Sequence, residues 1–306
     1  MLLNIQKGSL TGLNKPGVSA AFFVLSFFLV NVCSLLTLGE LHEWGIRNAE
    51  CGVQAGQGHY TLMGLSELVE ARGCKLNYNI GFWIFPKIGI GTATIERTDK
   101  PATYTVTLEA HPLGIFASIV KRQVIYQTIM EFDKKSNKLR PLHSSQKRIK
   151  GKEVRDKTIK FDYEKGVCVF EYRKNDVLEK EKIVPIPSGI IAEDPVTAFH
   201  NLCDGAYGEI NEGSIYNTNI MVKESPTNLT FEVCSKNCKR EFALSENEEN
   251  HFGFVAKINL APEIVDSTKG EIFVCFSSDS IPVAVKVKDV IGFGDLYGQL
   301  VNKIIY

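Results

Sequence analysis

The chain has 306 residues, of which 44% are hydrophobic and 10% aromatic, enough to bury a core and to exclude a disordered polymer. Lys+Arg and Asp+Glu each number 35, so the formal net charge is zero. Such a balance lacks the electrostatic footprint of a nucleic-acid-binding protein, and no nucleic-acid partner is expected.

The N-terminus carries Lys7 and Lys15, then an uncharged run from Gly17 to Gly39. A basic flank before an apolar stretch is the pattern of a secretory signal, and this run is also long enough to span a bilayer. Residues 1–39 therefore read as a signal peptide or an N-terminal membrane anchor, and the protein as exported. If uncleaved, residues 18–39 would contact the membrane. Thr37 and Gly39 offer small residues for cleavage but match poorly, and Val32 is too large for a lipid-modified cysteine at Cys33.

Residues 40–73 read as a juxtamembrane segment ending in a short helix. Leu62, Leu65, Leu68 and Val69 share one face there, and Gly73 suits a C-cap.

From residue 74 to 306 the period changes to two, which predicts a single β-rich domain. Tyr104, Val106, Leu108 and Ala110 alternate with Thr105, Thr107 and Glu109; Ile159, Phe161 and Tyr163 alternate with Lys160, Asp162 and Glu164. The same spacing recurs at Phe252, Phe254, Ala256, Ile258 and Leu260, at Ile272, Val274 and Phe276, and at Val283, Val285 and Val287. One apolar and one wet face is the signature of antiparallel strands covered on one side. Turn signals fall at Asn175-Asp176, at Asn211 to Gly213 and at Ser277 to Ser280. The basic stretch from Ser144 to Lys157, diluted by Glu153 and Asp156, reads as a solvated loop or strand edge. Roughly ten to twelve strands are predicted, and a sheet of that size must curl, close or split.

Among these strands sits "EDPVTAFHNL". Asp194 reads as a helix N-cap and Pro195 as the first helical residue, because the carboxylate can accept from free first-turn amides and proline has none to leave unpaired. Val196, Phe199, Leu202 and Cys203 then fall on one side of a short helix suited to plug the end or concave face of a curved sheet. His200 lies on its flank and reads as a core-edge or surface residue.

Catalytic patterns are absent: no Gly-x-Ser-x-Gly, no His-Glu-x-x-His and no phosphate-binding glycine loop occurs. Gly89 and Gly91 lie inside a strand pattern, where small residues let a backbone or ligand approach closely. Cys234 and Cys238 with His251 make half a zinc finger and lack the second histidine. No catalytic residue, metal site or cofactor is expected. Cys234 and Cys238 are the best local disulfide candidates, whereas Cys168 and Cys275 sit in apolar runs and read as packing residues. The sequon at Asn228 has meaning only in a eukaryotic secretory pathway. Trp83, Phe85, Phe116 and Phe199 are candidate linings for an apolar cavity, the alternative being that these rings simply pack around the helix. The expected partners are a lipid or other apolar small molecule and an envelope protein.

Three segments together resemble a known family. "KLNYNIGFWIFPKIGIGTATIE" looks like the opening of the bacterial domain-of-unknown-function family numbered 3108; "IPSGIIAEDPVTAFHNL" is similar to its Asp-Pro helix start, and "GEIFVCFSSDSIPVAVKVKDVIGFG" to its closing hairpin. The resemblance spans about Lys75 to Leu300 and implies an exported, mainly β protein of a Gram-negative envelope, in the periplasm or on the periplasmic face of the inner membrane. A looser similarity, to half-barrel lipoprotein carriers, implies a large curved antiparallel sheet or half-open barrel. One short helix would sit in its concavity or at its end. It supplies no catalytic residues.

Overall fold

The computed structural model describes residues 73–82, 85–120, 122–235, 253–265, 267–278, 280–290 and 294–306. The expected N-terminal helix, the short helix over 62–69, Trp83, Cys238, His251 and Phe252 lie outside them. Gly73, expected as a C-cap, opens a strand.

The strands are β1 (Gly73–Phe82), β2 (Phe85–Arg97), β3 (Thr103–Pro112), β4 (Arg122–Asp133), β5 (Lys138–Lys150), β6 (Glu153–Asp162) and β7 (Val167–Lys174). They continue as β8 (Val177–Pro185), β9 (Ile215–Lys223), β10 (Ser225–Val233), β11 (Phe254–Asn259), β12 (Glu271–Phe276), β13 (Pro282–Val290) and β14 (Gly294–Ile305). The helices of the described residues are α1 (Gly114–Val120), α2 (Pro195–Cys203) and α3 (Pro262–Val265).

All strands join one 14-stranded sheet in the order β8-β7-β6-β5-β4-β3-β2-β1-β14-β13-β12-β11-β10-β9. Two meanders are thus stitched together where β1 pairs antiparallel with β14. Gly73 and Tyr306 seal that seam by exchanging both backbone hydrogen bonds.

Fourteen strands exceed the ten to twelve expected, and the reason is local. β8 reads VLEKEKIVP and is exposed along almost its whole length, so it shows no apolar alternation. The basic stretch around Ser144 to Lys157 forms the β5–β6 hairpin, turning at Gly151. Asn175 and Asp176 both take positive φ at the β7–β8 turn, the backbone that tight hairpins demand.

A sheet this wide curls, and register shifts between Asn77 and Tyr78, Ile129 and Met130, and Tyr172 and Arg173 assist the bend. Close packing also shapes it: a Cβ on Gly91 would lie 3.3 Å from Cδ1 of Ile80. The small residue expected to admit a neighbour therefore admits a side chain of the adjacent strand.

Helix α2 occupies the concavity. Val196 packs with Leu76 and Tyr78 of β1, Met130 of β4 and Leu139 of β5. Ala198, Leu202 and Cys203 join Ile220, Phe231, Ala256 and Phe276 of the other meander. Both arms of the sheet therefore rest on one nine-residue helix, buried at seven of its positions. That burial on nearly all sides is what a helix enclosed by a sheet requires.

The two ends of the sheet differ. Antiparallel alternation places the β1–β2 turn, the α1 connection and the β5–β6 and β13–β14 turns at one end. The β4–β5 and β12–β13 turns and the Gly73–Tyr306 pairing lie at the other.

Candidate functional site

Strand β4 presents Val124, Tyr126, Thr128 and Met130 inward, and β5 brings Ser144 opposite Thr128. The hydroxyls of Tyr126, Thr128 and Ser144 interrupt an otherwise apolar wall. All three donate to Oδ2 of Asp194, Tyr126 at 2.5 Å and Ser144 at 2.6 Å. The other oxygen, Oδ1, accepts from the Thr197 amide at 2.8 Å. Asp194 is thus the N-cap that the sequence indicates, followed by Pro195 at the helix start. It is also fully buried and tied to the wall. Tyr126 is held well above the usual phenol range, first by burial and then by the Asp194 charge.

Glu193, invisible as a special residue in the sequence, turns the other way and is 1% exposed. Its Oε1 accepts from Asn201 Nδ2 at 2.6 Å, and its Oε2 from the hydroxyls of Tyr207 and Thr218, both at 2.6 Å. Asn201 in turn donates to the Leu139 carbonyl and accepts from the Leu139 amide. The Glu193 carbonyl accepts from the Met221 amide at 2.7 Å, docking the chain against β9. Burial pushes the Glu193 carboxyl above its ordinary value, against the lowering effect of its three donors.

The pair therefore has every carboxylate oxygen engaged by the protein itself. His200 makes no hydrogen bond to Asp194; desolvation pushes its imidazole down to about 4, with Asp194 pulling the other way. An imidazole so depressed is neutral near pH 7 and is not joined to an acid. The hydrogen bonds of Asp194 and Glu193 anchor α2, and none of them joins His200 to Asp194. Among the described residues, no cluster of three His, Cys, Asp or Glu side chains could hold a metal ion.

The aromatic candidates separate. Phe85 and Phe116 meet edge to face at 5.5 Å at the α1 end, next to Ile115, which is 69% exposed. Phe199 instead stacks on Phe276 at 5.7 Å near the opposite end, and Phe276 stacks on Phe254 at 4.3 Å. All three candidates are half-buried and pack on the same apolar interior. Trp83 lies outside the described residues. Cys168 and Cys275 are buried free thiols. Cys234 is disulfide-bonded, and its partner lies outside the described residues.

Sequence reasoning missed Tyr126, Thr128, Ser144 and Glu193. The available signal was polar residues at inward slots of two adjacent strands, which demands a buried polar partner.

A family model described as Protein of unknown function (DUF3108) matches residues 76–233, about half of the chain. No curated protein matches. Among solved structures, the chain is similar to a beta-barrel-like protein of domain of unknown function DUF1849 from Brucella abortus. The identity is 14% and the TM-score 0.44, covering 77% of this chain and 98% of that one.

Two outcomes follow from the acid pair. Asp194→Ala strands three buried hydroxyls as well as an amide, so urea unfolding should show a loss of about 3 kcal/mol or more, against roughly 1 kcal/mol for a cap alone. For Glu193, a raised folded-state pKa means its stabilising contribution is present at low pH and is lost as pH rises from the ordinary carboxylate range through the folded value. Glu193→Gln should therefore gain stability relative to wild type across that rise, measured by denaturant midpoints at a series of pH values.

Proposed function

The chain belongs to the DUF3108 family of proteins of unknown function, and from that premise we propose a non-enzymatic envelope protein that holds an apolar ligand, such as a lipid or acyl chain, at the α1 end of its curled sheet. The observation that carries this reading is the half-buried Phe85–Phe116 pair beside exposed Ile115, packed on the apolar interior. On this reading α2 with its buried acids is the plug in the other half, and the α1 end is the mouth. A few rings on an apolar wall with little polar chemistry suit a ligand held by burial. Export rests on the apolar run from Gly17 to Gly39 behind its lysines. The periplasm or the periplasmic face of the inner membrane follows as the place of action.

A second reading, a membrane-tethered assembly factor working through protein contacts, is favoured by strand β8. It pairs only with β7 in the sheet and exposes Val177, Leu178 and Ile183. Such an edge can accept a strand from a partner.

Native mass spectrometry of the full chain, followed by organic extraction, separates the two. The ligand reading expects a co-purifying amphiphile whose occupancy falls roughly tenfold in Phe116→Asp, the order of effect expected from losing one buried aromatic contact. A chain that carries nothing, or whose load is unchanged in Phe116→Asp, contradicts it.

A further inference from the structure

Inward positions of β5 to β8 change character toward the α1 end. Gln146, Lys157, Tyr172 and Lys180 lie side by side across four strands, each directly opposite the next, and Lys182 lies opposite Phe170. Arg148 follows on β5 and donates to Gln146 at 3.3 Å. The end of β9 closes against this row. Lys157 donates to the Val222 carbonyl, and Glu224 takes both Lys180 and Lys182, the latter at 2.8 Å. Lys223 also acts on Lys157. Asp156, Glu171 and Glu181 alternate onto the other face, whereas Glu153 shares the face of Lys157 at the β5–β6 turn and is taken up by Arg155 and Lys174. Lys180 and Lys182 hold Glu224 between them, and Lys157 lies beside them with the Arg148, Lys223 and Lys180 charges acting on it.

Lys157 is the member whose position needs explaining. Its ammonium lies 5.5 Å from the ring centre of Phe170 and 5.7 Å from that of Tyr172, and no carboxylate of the described residues forms a salt bridge with it. The Val222 carbonyl satisfies one of its three N–H donors. Burial first, then the Arg148 charge, push Lys157 down to about 8, with Glu224 opposing. Glu224 is drawn down to about 2 by its hydrogen bonds from Lys180 and Lys182, and is committed to them. A sheltered cation among like charges is costly unless an anion completes it.

We propose that this seam between β8 and β9 is a binding site for a phosphate group, either free phosphate or the phosphate of a lipid head group, with Lys157 at its centre. A tetrahedral oxyanion suits several converging donors from different strands, here Lys157, Lys180 and Lys182. The lipid source rests on the apolar-ligand reading; the anion site itself does not.

Calorimetry on the full chain at low salt tests it with three probes: inorganic phosphate, dihexanoyl phosphatidic acid and dihexanoyl phosphatidylcholine, the lipids below their micelle concentrations. Inorganic phosphate should bind saturably. Lys157→Met, which keeps the stem and removes the charge, should weaken it by roughly tenfold or more. Lys157→Arg should keep most of the affinity, and Lys134→Met, in the β4–β5 turn at the other end, should leave it unchanged. Circular dichroism and unfolding midpoints check that each variant is folded. Phosphatidic acid binding far tighter than phosphate, with Phe116→Asp removing only that gain, identifies a lipid head group; equal affinities identify free phosphate. Phosphatidylcholine binding as tightly as phosphatidic acid and unaffected by Lys157→Met supports the apolar mouth and overturns the anion site. Absence of saturable phosphate binding, or a folded Lys157→Met that binds phosphate as well as wild type, overturns the site. Loss of every chain-dependent gain with phosphate binding intact overturns the apolar reading alone.

Discussion

A carboxylate taken wholly out of water must be supplied with donors, and in this protein that constraint organises the interior. Asp194 caps α2 through one oxygen and gathers three wall hydroxyls through the other. Those hydroxyls come from β4 and β5, while Glu193 beside it reaches Tyr207 and Thr218 and pairs its backbone with β9. Two consecutive acids therefore tie the helix to both meanders. Buried hydrogen bonds of this kind are directional and fail badly when half satisfied, so they specify one seat for the helix where apolar packing would tolerate several.

The helix seat determines the shape of the remainder. With α2 holding the half nearer Gly73 and Tyr306, the sheet cannot collapse flat there, and its far half is lined by Phe82, Phe85, Ile88 and Phe116. The outer strands β8 and β9 then approach through side chains rather than through a ladder, and the bridge is electrostatic: Lys180 and Lys182 on Glu224, and Lys157 on the Val222 carbonyl. Closure by lysines instead of backbone pairing leaves a charged seam in a protein with no net charge. This is how a chain with no overall electrostatic bias concentrates cations where its two outer strands meet.

The mainly β class, the short helix and its start at Asp194-Pro195 were legible because they depend on local rules: period-two alternation and capping chemistry. Strand β8 was not, because an exposed lysine-glutamate strand at a sheet edge has no apolar face to alternate. The Ser144 to Lys157 stretch read as solvated for a similar reason, although Ser144 and Gln146 are buried. Polar residues point inward there because Asp194 and the cationic row await them, and that partnership spans 50 residues for Ser144 and Asp194. Phe85, Phe116 and Phe199 were recognisable as aromatic load, but their division between the two ends depends on sheet topology. Single-sequence reasoning sees neighbours along the chain, whereas the buried acids and the β8–β9 seam are made of neighbours across it.

The central claim is that the acid pair pins α2 inside the sheet as part of one cooperative unit. Hydrogen exchange on the full chain measures this directly, comparing wild type with Ser144→Ala. The account predicts that the Ala198 to Cys203 amides of wild type exchange only by global unfolding, with protection equal to that of β4 and β5, and that Ser144→Ala lets the helix open ahead of those strands. If the helix amides of wild type already exchange far faster than the strands, or if Ser144→Ala leaves their order unchanged, the buried carboxylates do not hold this structure together.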